Sequence, residues 1–134
     1  MKTLDTFTTH YLIAALWSGV DVNDENLDAN YDLTDFSDDA IDRAINDCAA
    51  FQSMAHDLLE IAYNNESSDY GNLEYEPQER AGHDFWFTRN GHGVGFWDRG
   101  LGVVGRRLSA LCGYDGIFKP IDLYVGDDGK LYFM

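Results

Sequence analysis

The segment from His83 to Asp98 carries the residue types that acid–base and metal chemistry use. Two histidines, two aspartates and an arginine lie within 16 residues: His83, Asp84, Arg89, His92 and Asp98. A carboxylate that orients an imidazole is a common arrangement for general acid–base catalysis. The same residue types can bind a metal ion or position a phosphate group.

Asn90-Gly91, at the centre of this segment, predicts a β-hairpin over 83–98, because both residues tolerate the positive φ of a two-residue turn. Such a hairpin places His83 opposite Asp98. His83 and His92 then lie roughly 20 Å apart, at ~3.3 Å per residue, so they cannot share one metal ion. We interpret the His83/Asp98 pair as a structural cross-strand contact. The catalytic alternative uses His83, Asp98, Asp84 and Arg89.

The other face of the predicted hairpin carries Trp86 and Trp97. Exposed tryptophans frequently anchor protein partners, and buried ones complete a core. The sequence leaves open which face of the hairpin is buried, so both roles stand as alternatives.

Gly100 to Gly105 matches the G-x-G-x-x-G pattern of dinucleotide-binding loops. The surrounding sequence does not supply the repeated strand–helix units that such a domain needs. We interpret these glycines as positions of close helix–sheet packing and as breaks between elements.

Residues 24–35 place oxygen-bearing side chains at alternate positions of a calcium-loop template. The template requires Gly at its sixth position and Glu at its twelfth, where this chain has Ala29 and Asp35. We interpret the segment as an acidic loop, and no metal site is predicted.

The two cysteines, Cys48 and Cys112, match no metal or redox spacing. Both fall at apolar positions of predicted helices. Buried thiols in a reducing compartment are the preferred interpretation, and a disulfide is the alternative.

The overall composition excludes several protein classes. The 134 residues fit one ordinary domain, 1–134. The apolar content of 45% and the aromatic content of 14% are too high for a fully disordered acidic chain. No stretch approaches the ~18–20 apolar residues of a membrane span, and the first residues lack the pattern of a secretion signal. A net charge of −15 disfavours direct binding to nucleic acid.

The charge is concentrated in the first part of the chain. Residues 1–79 hold 18 acidic residues against Lys2 and Arg43, a net charge of −16, whereas residues 80–134 hold 6 acidic and 7 basic residues. Nine acids within 21–42 form the candidate partner-binding set: Asp21, Asp24, Glu25, Asp28, Asp32, Asp35, Asp38, Asp39 and Asp42. About 15 Å of duplex DNA carries about 9 charges. The loop 20–36 must fold beside the following helix to approach that density.

The apolar periodicity predicts helices over 3–18 and from Ser37 to about Asn64, joined by the acidic connection 20–36. A loop is predicted over 65–77, a short helix over 101–112, and a hairpin over 121–133 with Leu123 opposite Phe133. Together with the hairpin over 83–98, these elements give the order α-α-β-β-α-β-β. The predicted fold class is α+β, with N-terminal helices packed on an antiparallel sheet built from the two hairpins.

Residues 82–100, GHDFWFTRNGHGVGFWDRG, resemble a segment of small, largely uncharacterised proteins encoded by tailed bacteriophages. Residues 122–132, DLYVGDDGKLY, resemble the C-terminal end of the same proteins. The resemblance covers about 80–134 and does not reach residues 1–79. It implies a phage origin and action in the cytoplasm of a bacterial host.

The leading functional hypothesis is a phage-encoded inhibitor of the anti-CRISPR or anti-restriction type. By analogy with small acidic phage proteins, its acidic surface would mimic nucleic acid and bind a basic groove of a host nucleic-acid-binding protein. No cofactor and no membrane partner are predicted. The alternatives are a small phage hydrolase or nuclease that uses His83 and Asp98, and a protein–protein adaptor that docks through Trp86 and Trp97.

Overall fold

The computed structural model of the protein describes residues 3–72 and 74–134. Within these ranges the chain forms five α-helices followed by one pair of short antiparallel strands. The helices are α1 (Thr6–Ser18), α2 (Asp38–Met54), α3 (His56–Tyr63), α4 (Pro77–Arg89) and α5 (Val103–Ala110), and the strands are β1 (Leu123–Val125) and β2 (Leu131–Phe133). Short 3-10 turns cover Leu27–Ala29, Leu33–Asp35, Asp69–Asn72 and Phe96–Asp98.

This architecture shows that the predicted α+β fold, with the order α-α-β-β-α-β-β, is wrong. The described chain is mostly helical, and its sheet consists of the two C-terminal strands alone. The predicted hairpin over 83–98 is the cause of the error, because residues up to Arg89 form α4 and the following residues form a loop with one 3-10 turn. The predicted pairings of that hairpin, including His83 with Asp98, therefore do not form.

Local sequence signals at both ends explain why α4 is a helix. Pro77 occupies the first helical position, where its missing N–H costs nothing, and Glu79 Oε2 accepts from the N–H of Glu76. At the other end, the N–H of His92 donates to the Phe87 carbonyl and the N–H of Gly91 donates to the Thr88 carbonyl. With Gly91 at φ +69°, this is a Schellman motif, so Asn90-Gly91 ends a helix and does not turn a hairpin.

The N-terminal predictions agree more closely with the structure. The predicted helix 3–18 is α1, whose N-cap is Asp5, and Ser37 caps α2 by accepting a hydrogen bond from the N–H of Ala40. The predicted helix to about Asn64 is divided at Ala55 into α2 and α3. The loop predicted over 65–77 contains a 3-10 turn at Asp69–Asn72, and Leu73 lies outside the described residues.

The core is built around stacked aromatic rings contributed by several helices. The Phe51 ring of α2 stacks on the Phe85 ring of α4, with centroids 4.2 Å apart, and Phe7 of α1 lies against both rings. Phe96 and Phe118 complete this buried cluster from the C-terminal part. The ring packing therefore joins the acidic N-terminal part to residues 80–134.

The C-terminal hairpin has the predicted register. Leu123 pairs with Phe133 and Val125 pairs with Leu131, and Gly129 in the turn between the strands has a positive φ. The N–H of Ser37 also donates to the carbonyl of Leu131. This bond ties the hairpin to the start of α2.

Candidate functional site

The nine acids of the predicted partner-binding set lie on one continuous segment, which we call the acidic surface. Asp21, Asp35 and Asp42 are half-buried. The other six are exposed: Asp24, Glu25, Asp28, Asp32, Asp38 and Asp39. The segment runs from the end of α1 to the second turn of α2, so it combines the predicted loop with the helix start.

Apolar anchors hold the loop of the acidic surface on the core. Leu27 is fully buried, and its N–H donates to the carbonyl of Gly19. Phe36 is buried at the other end of the loop, where its ring stacks on Phe133 at 5.8 Å. Leu33 lines a groove together with Ile41 of α2, which places the second half of the loop beside the helix.

Several acids stabilise the loop through hydrogen bonds to its own backbone. Asp21 Oδ1 accepts from the N–H of Asn23 at 2.7 Å and from the N–H of Glu25 at 3.1 Å. Asp32 and Asp35 form a capping box around the 3-10 turn at Leu33–Asp35. The hydrogen bond from Thr34 holds the pKa of Asp32 below its ordinary value. Asp32 therefore remains ionised at neutral pH, and these hydrogen bonds hold the loop in a defined conformation.

Arginine does not compensate the acids from Asp21 to Asp39 within the described ranges. The ion pairs of Arg43 and Arg89 are both made with Asp47, and those of Arg99 are made with Asp84 and Asp98. In residues 3–72 and 74–134, no group of three His, Cys, Asp or Glu side chains is arranged to hold a metal ion. Within the described ranges, the acids of loop 24–35 therefore have no arginine ion pair.

Of the predicted catalytic alternative, His83, Asp84 and Arg89 lie on α4, and Asp98 lies in the 3-10 turn that follows. His83 lies on α4, where its Nε2 is 3.0 Å from Nδ1 of His10 on α1. Asp98 lies in the 3-10 turn after α4, and its Oδ1 accepts from the N–H of Gly95. His92 follows the Schellman motif and packs its ring against Phe87 at 5.7 Å.

Asp84 and Arg89 take part in buried ionic networks. Asp84 is fully buried and accepts from Nε and Nη2 of Arg99 and from the Tyr70 hydroxyl. Burial raises the pKa of Asp84, and the Arg99 guanidinium opposes that rise. Arg99 follows the 3-10 turn at Phe96–Asp98, so this pair fixes the loop after α4 against the helix.

Arg89 makes a denser network at the end of α4. Its Nη1 donates to Asp47 at 2.8 Å and to the Tyr11 hydroxyl at 3.1 Å, while Nε and Nη2 donate to the carbonyl of Lys119. The guanidinium carbon also lies 5.4 Å from the centroid of the Phe85 ring. Arg89 thus connects α1, α2, α4 and the segment before β1.

The two tryptophans of the predicted docking face lie in different environments. Trp86 is buried, and its Nε1–H donates to Oγ of Ser18 on α1. Trp97 is 54% exposed. The two rings therefore do not form the shared face that the hairpin predicted.

A groove of about 400 Å³ between α1 and α4 was not anticipated from the sequence, and we call it the Trp17 groove. Its apolar walls are Ile13, Leu16, Trp17, Phe87 and Val94, and its polar lining is Asp28 and His83. The sequence signal for this groove lies in α1, where Ile13 and Trp17 are one helical turn apart on the side away from the core. An apolar residue pair on the outer side of a helix predicts an unpartnered surface.

The remaining motifs have structural roles. A Cβ atom at Gly105 would lie 2.6 Å from the Phe96 carbonyl oxygen, which explains the glycine as a close helix contact. Cys48 and Cys112 are buried free thiols. Burial raises the pKa of Cys112 to about 12 and raises that of Cys48 further, so both are weak nucleophiles.

Comparison of the chain with protein-family models, with curated proteins and with solved structures gives no match. Among the helices of the described residues, none combines the length and the apolar character needed to span a lipid bilayer.

Proposed function

We propose that the protein uses its acidic surface to occupy the nucleic-acid-binding groove of a basic partner protein. The observation that carries the proposal is a run of acids from Asp21 to Asp39, six of them exposed, that is held in a defined conformation without arginine partners in the described chain. Like charges placed side by side repel one another and destabilise a fold. An ordered surface of this kind is better explained by a binding role than by solubility alone.

The arrangement of the acids supports mimicry of nucleic acid. The three acids on the start of α2, Asp38, Asp39 and Asp42, would alone be a sparse imitation of duplex DNA, which carries one charge per ~1.7 Å. The loop adds more carboxylates. Leu33 and Ile41 line the same groove, so the second half of the loop lies next to the helix. Complementary charge then speeds association with a basic groove and makes binding weaken as salt rises.

The partner class follows from the resemblance of residues 82–100 to tailed-phage proteins. We infer a phage origin, action in the cytoplasm of the bacterial host, and an antagonist role of the anti-CRISPR or anti-restriction type. In that role the protein competes with nucleic acid for a host protein and does not itself bind nucleic acid.

The test uses two variants that change the net charge equally. The acidic-surface variant carries Glu25→Lys and Asp39→Lys, at the loop and helix ends of the surface. The control variant carries Asp122→Lys and Asp127→Lys, two exposed acids beside and within the β1–β2 hairpin. A difference between these variants reports the position of the charge, because their total charge is the same.

The wild-type protein is used to capture proteins from nuclease-treated bacterial lysate, and the binding of each captured protein to labelled duplex DNA is then measured by fluorescence anisotropy. We expect the wild-type protein to displace the DNA, and the acidic-surface variant to bind at least about tenfold more weakly. The control variant should bind nearly as well as wild type. Equal losses in both variants, or captured proteins that keep their DNA, would contradict the proposal.

A cellular assay tests the antagonist role. The protein is expressed in bacteria whose restriction or CRISPR system blocks a test phage, and plaque formation is counted. We expect wild type and the control variant to restore plaques and the acidic-surface variant not to. Restoration by all three would mean that the acidic surface is not the inhibitory element.

A further inference from the structure

The Trp17 groove adjoins the acidic surface, because Asp28 belongs to both. The groove has an apolar wall on which an extended stem can lie. Trp17 is 62% exposed, and its ring meets Phe87 edge to face with centroids 5.9 Å apart. An exposed aromatic face of this kind attracts a cation placed within about 6 Å of the ring.

The polar lining of the groove consists of the Asp28 carboxylate and the His83 imidazole. Asp28 is exposed and supplies a carboxylate. His10 Nε2 lies 2.9 Å from a Glu79 carboxylate oxygen, so this nitrogen carries the proton that the carboxylate accepts. His10 Nδ1 lies 3.0 Å from Nε2 of His83, so the two rings share a hydrogen bond.

The imidazole of His83 is uncharged in this groove. Burial, followed by the charges of His10, Arg80 and Arg99, lowers the pKa of His83 to about 4, so the ring is neutral at pH 7. The groove therefore offers a carboxylate and an uncharged imidazole beside an aromatic wall.

We propose that the Trp17 groove binds an arginine side chain of the partner protein. Its propyl stem lies along the apolar wall, its guanidinium stacks on Trp17, and its N–H groups donate to Asp28. Arginine fits better than lysine because a planar guanidinium both stacks on an aromatic ring and presents several donors at once. This inference rests on the proposed function, since a nucleic-acid-binding groove is rich in arginine, and it adds an anchor at the edge of the acidic surface.

The test uses n-propylguanidinium, which is the arginine side chain without its backbone, and the neutral isostere N-propylurea. Binding to ¹⁵N-labelled full-length protein is followed through the indole N–H resonance of Trp17. We expect saturable shifts with propylguanidinium and at least about tenfold weaker binding of propylurea. Asp28→Asn should weaken propylguanidinium binding by a similar factor, and Trp17→Ala, followed through backbone resonances, should abolish it.

Two matched variants serve as controls: Trp97→Ala removes another exposed tryptophan, and Asp122→Asn removes another exposed acid. Both should bind the probe as wild type does. The absence of saturable shifts, or equal binding of propylurea that is insensitive to Asp28→Asn, would overturn the inference. The acidic-surface variant retains Asp28, so failure of the groove and failure of the proposed function appear in different experiments.

Discussion

Arg89 shows how much of the fold depends on single polar side chains. It is 3% exposed and makes charge-assisted hydrogen bonds to Asp47 and to the carbonyl of Lys119. We expect Arg89→Met to lower the free energy of unfolding by about 3–5 kcal/mol, because it leaves a partly buried carboxylate and a carbonyl without their donor. Urea denaturation measures the loss. Arg106→Met, at an exposed position of α5, is the control, and equal small losses in both variants would show that the network is dispensable.

His83 links pH to the contact between α1 and α4. Its pKa of about 4 lies below the ordinary value of 6.5 because of burial, His10, Arg80 and Arg99, while Glu79 faces the pair through His10. The unfolded chain thus binds a proton where the folded chain does not. The His83 contribution to stability is complete above about pH 6.5 and is lost as the pH falls toward 4.

We therefore expect the unfolding free energy of wild type to fall between pH 7 and pH 4 by ~1–2 kcal/mol more than that of His83→Gln, a value reduced for the partial exposure of the ring. Denaturation at a series of pH values gives the two curves. His56→Gln, at an exposed position, should follow wild type. Parallel curves for wild type and His83→Gln would contradict the expectation.

At the scale of elements, the closest helix crossing is that of α1 and α4. A Cβ atom at Gly82 would overlap the carbonyl oxygen of Phe7 and lie 3.0 Å from the Tyr11 nitrogen. We expect Gly82→Ala to force the helices apart and lower stability by about 1–3 kcal/mol, even though alanine favours helix formation. Thermal denaturation tests this against Gly93→Ala, where an added methyl group meets open space. A stabilised Gly82→Ala protein would show that the helices separate at little cost.

The elements also show which sequence signals sufficed. Asp5 and Ser37 are ordinary N-caps followed by clear apolar periodicity, and the alternation around Gly129 fixed the register of β1 and β2. The error at 83–98 has a physical cause. Helix α4 buries apolar and charged residues on most of its circumference, so its sequence lacks the polar stripe that indicates a helix. In addition, an Asn-Gly pair is compatible with both a hairpin turn and a Schellman motif.

The residues of the candidate site also differ in whether the sequence alone could identify them. The nine acids were identified from sequence because a charge run needs no tertiary information. The pairing of His10 with His83 and the walls of the Trp17 groove required the crossing of α1 and α4, which the predicted hairpin excluded. Asp84 and Arg89 were recognised as unusual residues, but their partners, Arg99 and Asp47, depend on the same helix packing.

For the whole molecule, the net charge of −15 is unevenly distributed. The effect of that distribution on the free energy of unfolding can be measured. Two unit charges 10 Å apart in water repel by about 0.4 kcal/mol. The acidic surface places nine acids within residues 21–42. Salt screens this repulsion, with a Debye length near 10 Å at about 0.1 M. We expect the unfolding free energy of wild type to rise by on the order of 1 kcal/mol between ~0.02 M and ~0.5 M NaCl.

The acidic-surface variant separates this electrostatic effect from the general stabilisation that salt gives to buried apolar surface. Reversing Glu25 and Asp39 removes repulsion where the acids are dense, while reversing Asp122 and Asp127 changes the total charge equally in a sparser region. The stability of the acidic-surface variant should depend on salt less steeply than that of the control variant, as urea denaturation at each salt concentration would show. At low salt the acidic-surface variant gains stability because repulsion is removed. The loss of Asp39 offsets ~0.3–1 kcal/mol of that gain, because a carboxylate stabilises the N-terminus of α2. If both variants retain the salt dependence of wild type, the acids are well hydrated and do not destabilise the fold. The acidic surface would then have no stability cost, and this support for a binding role would be absent.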